Sequence, residues 1–141
     1  MSEAAEHARL MLRKALEDLD VLEVLAKARK PVQAAIGFHA QQAVEKSLKA
    51  VLANRGLTYP RTHDLKALMN FLGKHAIALP PDGGELAVLT PYAGEFRYDV
   101  LPPEGTGEAP LDTPRALEMA RRTRAWAERL LAEQKKPPQK P

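Results

Sequence analysis

Residues 2–29 contain neither proline nor glycine, and residues 32–55 contain no proline. Two runs of that length constrain any fold more than anything else in the chain. A β-strand usually ends after about 5–6 residues, so each run predicts a helix. In the first, Leu12, Ala15, Leu16, Leu19, Leu22 and Ala26 recur at three- and four-residue steps and form one apolar stripe. Ser2 stands where an N-cap belongs, and Pro31, which has no N–H, closes a helix predicted over residues 2–29. The second helix is predicted from near Val32 to the stretch ANRG, where Gly56 suits a C-terminal cap.

Breakers then set the remaining pattern. YPRTHDL leads into a third helix, with Thr62 as its predicted cap and Asp64 in its first turn, where the helix dipole favours a carboxylate. Leu65, Leu68, Met69 and Leu72 give that helix its apolar face. Beyond ALPPDGGE, Leu86, Leu89 and Ala93 predict a weaker fourth helix that contains Pro91. DVLPPEGTGEAPLDTP reads as a long loop. Thr113 is the predicted cap of a last helix, with Pro114 at its first position, running through Trp126 to about Glu133. Residues 135–141, KKPPQKP, read as a disordered basic tail after one helical domain over residues 1–134. The expected fold is all-α, an up-and-down bundle of four to five helices.

Composition removes several function classes. Aromatic residues are only 5% of the 141, and Leu and Ala dominate the apolar set, which favours helix over sheet. The absence of Cys excludes disulfides and thiolate metal sites. The N-terminal stretch is charged and periodic, without a signal-peptide core, and no stretch approaches membrane-spanning length, so a cytoplasmic protein without membrane contact is expected. Charge is asymmetric: residues 1–112 carry 13 Lys/Arg against 15 Asp/Glu, and residues 113–141 carry 8 against 3. A basic end of this kind can meet phosphates or acidic surfaces, or simply solubilise a helix.

The second helix carries the chemistry. On a helical wheel Ile36, Ala40, Ala43, Val44, Ser47 and Val51 share one side, and Gln41, Gln42, Glu45 and Lys49 lie opposite. Phe38 falls among the polar residues, while His39 and Lys46 flank them with Gln42 between. A ring inside a polar stripe predicts that something covers this face: another helix, a second subunit or a ligand. Arg97 and Tyr98 in EFRYD are candidates to close over it, with Arg97 expected on Glu45 and Lys46 expected on Asp99 or a ligand phosphate. The plain alternative is a central helix packed on two sides, with Glu45 and Lys49 paired at i,i+4.

GFHAQQAVEKSLKAVLANRG, then YPRTHDL, then EFRYD, in that order, resemble the HEPN family (higher-eukaryote and prokaryote nucleotide-binding domain), of the small prokaryotic stand-alone type. The resemblance covers roughly residues 5–133. Phe38, His39, Gln41, Gln42, Glu45 and Lys46 match its signature helix, Thr62, His63 and Asp64 the next helix start, and Arg97 and Tyr98 its downstream pair. It implies a bundle of four to five helices, frequent dimerisation and a minimal nucleotidyltransferase partner in a toxin–antitoxin-like module. A nucleotide or RNA is the implied ligand. His39, Gln42, Glu45, Lys46, His63, Asp64, Arg97 and Tyr98 are therefore the expected ligand- or partner-binding residues.

Ribonuclease members of the family carry an Arg followed by a His four to six residues later, and this sequence holds no such pair: Arg55 and His63 have seven residues between them, and no His follows Arg97. No catalytic residue, metal or cofactor is expected, and the protein reads as a binding or regulatory partner. There is no Walker A motif, no dinucleotide glycine fingerprint and no nucleotidyltransferase pattern, so the chain would be the partner of a transferase and not the transferase itself. Two enzymatic alternatives remain at this point: a metal-independent endoribonuclease with a degenerate motif, and a metal-dependent HD-type phosphohydrolase built from His39, His63, Asp64 and Asp99. Removing residues 135–141 should leave the melting temperature nearly unchanged in a thermal scan.

Overall fold

The computed structural model of the chain describes residues 2–93 and 111–134. Among them lie four α-helices and one 3₁₀ helix, and no strand: α1 (Glu3–Ala26), α2 (Gln33–Asn54), α3 (Leu65–Lys74), a 3₁₀ helix (Gly83–Tyr92) and α4 (Thr113–Gln134). The all-helical expectation holds. The basic tail lies outside the described residues.

Local chemistry explains where each element begins and ends. Ser2 Oγ accepts from the Ala5 N–H at 3.1 Å and caps α1. The helix stops at Ala26, three residues short of the predicted end. A helix running into Pro31 would set the proline ring against the Lys27 carbonyl, so the last turn tightens first through Lys27 and Ala28 N–H bonds to Val24 and Leu25. At the end of α2, Gly56 takes φ +72°, and its N–H and that of Leu57 return to Ala53 and Leu52. This double bond satisfies carbonyls that the helix end would otherwise orphan.

Three predicted details are corrected. Asp64, not Thr62, caps α3: its carboxylate accepts from the Lys66 N–H, while Thr62 Oγ1 accepts from the Asp64 N–H. Asp112, not Thr113, caps α4, accepting from the Arg115 N–H at 3.0 Å, and this puts Pro114 at the second helical position. The predicted fourth α-helix is a 3₁₀ helix. Pro91 cannot donate to an α-ladder, and a three-residue period sets Leu86 and Leu89 on one side, where both are buried.

The bundle is organised around α2, which touches all four other described elements. Thirteen of its 22 residues are buried, too many for one stripe. Ala40, Ala43, Ala50 and Ala53 let neighbouring helices approach closely. Gly37 is the extreme case: a Cβ there would run into Cγ and Cδ1 of Tyr92, whose ring packs on the α2 backbone. Gly37→Ala should therefore overpack the contact and destabilise the fold by about 2 kcal/mol in denaturant melts. Gly84→Ala, where an added Cβ meets nothing, should melt like the parent.

Candidate functional site

The polar stripe of α2 is a second buried face. Gln41 is 0% and Glu45 4% exposed, although both fall opposite the Ile36–Val44 side. α1 covers the stripe on one flank, and the segment leading into α3 covers it on the other. Each flank is closed by a carboxylate-centred cluster.

On the α1 flank, Asp18 accepts from His39 Nδ1 at 2.9 Å and from Lys46 Nζ at 2.6 Å. His39 and Lys46 lie seven residues apart, two helical turns, so one carboxylate held between them can reach both. An ionised carboxylate can only accept, so His39 Nδ1 carries the proton of this bond. Phe38 stands edge-on to the His39 ring, with centroids 5.0 Å apart, which accounts for an aromatic residue in the stripe.

On the α3 flank, Glu45 accepts from Gln41 Nε2 (2.8 Å), Lys49 Nζ (3.0 Å) and His63 Nδ1 (2.8 Å). Gln41 also donates to the His63 carbonyl, and Gln42 donates to Gln41 Oε1, so Gln42 joins the network from the edge. Burial by itself pushes the Glu45 carboxyl up. The hydrogen bonds from Gln41, Lys49 and His63 together outweigh it and hold the group below the usual glutamate range.

The structure thus places His39, Gln42, Glu45, Lys46 and His63 along one seam. Asp64 is not among them; its carboxylate caps its own helix. Arg97, Tyr98 and Asp99, and with them the expected Glu45–Arg97 and Lys46–Asp99 pairs, lie outside the described residues. Among the described residues Lys46 pairs with Asp18 and Glu45 with Gln41, Lys49 and His63. Asp18 is the residue that sequence reasoning missed. Its signal was present: Ala15, Asp18 and Leu22 are all buried on α1, so Asp18 sits on an apolar stripe where a carboxylate needs partners.

Of the four residues of the phosphohydrolase alternative, Asp99 lies outside the described residues. His39 and His63 belong to separate clusters and Asp64 to neither. No group of three or more His, Asp or Glu side chains among the described residues is placed to hold a metal ion. The seam reaches the surface at both edges: the side chains of His39 and Lys46 are 25% and 24% exposed on the α1 side, and that of His63 is 40% exposed on the α3 side.

The family model of the HEPN domain matches residues 8–131. The chain belongs to the HEPN domain family. It is also 39% identical over 56 residues to a Methanocaldococcus jannaschii protein named "Putative toxin MJ1304". That match covers 40% of this chain, which spans about a third (36%) of the relative's length. No solved structure matches the chain. No helix among the described residues is long and apolar enough to cross a membrane.

Glu45→Ala leaves buried Gln41 and partly buried Lys49 and His63 without their acceptor and should cost about 3 kcal/mol in denaturant melts. The folded-state pKa of Glu45 is depressed, so its contribution is complete above the unfolded value. It is lost as pH falls through the folded one, below the usual glutamate range of about 4.3. Acid melts of Glu45→Gln should therefore show a shallower loss of stability than those of the parent.

Proposed function

We propose that this protein is the HEPN member of a toxin–antitoxin-like module and acts as the binding or regulatory partner of a minimal nucleotidyltransferase. A nucleotide or RNA is the ligand of the pair. The observation that carries this reading is a family match across nearly the whole chain combined with a sequence that lacks the Arg-x4–6-His pair of the family's ribonucleases. Metal-free RNA cleavage needs a positioned acid–base group, which the His of that pair supplies in the family's ribonucleases. The similarity to a protein named as a toxin supports the module. The exposed edge of the seam, His39, Gln42 and Lys46, is the surface offered to the transferase or to a phosphate it handles. Leu10, Val21 and Val24, exposed along α1, support a homodimer, and the setting is the cytoplasm.

Co-purification with a minimal nucleotidyltransferase encoded beside the gene tests the reading directly. A stable complex is expected, and Lys46→Ala should weaken it more than it weakens folding, which denaturant melts of the free variant check. Purified protein should not degrade RNA above background, with or without EDTA. Cleavage that persists in EDTA and disappears in His39→Ala would overturn the proposal in favour of the ribonuclease.

A further inference from the structure

The N-terminal turns of α1 meet the chain that leaves α2, and a cavity of about 350 Å³ opens there. That is the lower end of the range for small-molecule sites, roughly 300–1,000 Å³. Ala4, Ala53 and Gly56 form low walls, and His7, Tyr59 and Arg61 supply the functional groups.

His7 Nε2 and the Tyr59 hydroxyl are 2.9 Å apart. The ring planes differ by 16° and the centroids lie 6.3 Å apart. The proton or lone pair on an imidazole nitrogen lies in the ring plane, so a hydrogen bond through it joins the two rings edge to edge. Near-parallel planes then make His7 and Tyr59 one flat shelf instead of a stacked pair. The bond consumes a polar edge of each ring and leaves their faces as the surface on offer, which suits a flat ring and not a flexible chain.

The shelf is held in place. Lys49 Nζ lies over the Tyr59 ring, 5.5 Å from its centroid, while its ammonium also donates to Glu45. A cation against one face draws the ring's electron density toward itself, so Tyr59 stacks better with an electron-rich ring. Burial, and then the nearby Glu45 charge, push the Tyr59 phenol up, so it keeps its proton for the bond to His7. Arg61 is exposed and forms no ion pair with another described residue. Unlike Lys46 and Lys49, whose charges are matched by Asp18 and Glu45, its guanidinium is available to an outside anion.

We propose that this cavity binds a small planar aromatic anion, no larger than a mononucleotide, with its ring on the His7–Tyr59 shelf and its charge on Arg61. The site shares no lining residue with the His39–Lys46 edge and does not depend on a transferase partner.

Calorimetric titration of the full chain with AMP, adenosine and inorganic phosphate tests it. AMP should bind more tightly than either fragment. Arg61→Ala should weaken AMP roughly tenfold and leave adenosine unchanged. His7→Ala should weaken AMP and adenosine together, by about tenfold, and Lys74→Ala, exposed and outside the cavity lining, should change neither. His7 and Arg61 are exposed, so both variants should melt like the parent. The proposal is overturned if AMP shows no binding in the millimolar range, if phosphate alone binds as tightly as AMP, or if His7→Ala and Arg61→Ala bind AMP like the parent.

Discussion

Two carboxylates taken out of water set the arrangement of this molecule. An ionised Asp or Glu away from solvent is tolerated only where donors surround it. Asp18 on α1 reaches across to His39 and Lys46 on α2, and Glu45 on α2 gathers Gln41, Lys49 and His63. Each bond that crosses between elements also fixes a register. A slip of α1 by one turn would strand Asp18, and a shift of the segment before α3 would take His63 off Glu45. Apolar packing brings the helices together without direction, whereas these clusters decide which residues face each other.

The same requirement shapes the chemistry that remains. Within the seam the two ammonium groups answer the two carboxylates, so most of its polar capacity is spent internally. What stays accessible are its edges, where His39 and Lys46 on one side and His63 on the other are partly exposed. The N-terminal cavity is different, because its cation has no acidic partner among the described residues and its aromatic pair presents faces instead of edges. Lys49 links the two regions, donating to Glu45 on one side and sitting over Tyr59 on the other.

Much of this was legible in the chain, and the misses have physical causes. The apolar faces of α1 and α3, the Ser2 cap and the Gly56 stop follow from spacing and from neighbours within a turn. The caps of α3 and α4 were each misplaced by one or two residues, since adjacent Thr and Asp side chains compete for the same N–H groups. The 3₁₀ helix was read as a weak α-helix, because Leu86 and Leu89 satisfy both periods and only the pairing chosen by the backbone separates them. Covering of the stripe was foreseen from Phe38. Arg97 and Tyr98, the expected cover, lie outside the described residues, and among the described residues the partners are Asp18 and His63.

The sequence by itself determined that the chain is helical, where its long helices start and stop, and which family it belongs to. These depend on interactions over three or four residues and on a motif whose members lie close together. Tertiary structure alone decided that Asp18 joins His39 and Lys46, that His63 closes on Glu45, and that His7 meets Tyr59. Those pairs are separated by 18 to 52 residues, and no local propensity can select among partners so distant. Selection comes from packing, which brings a buried charge within reach of one set of donors and leaves it no water as an alternative.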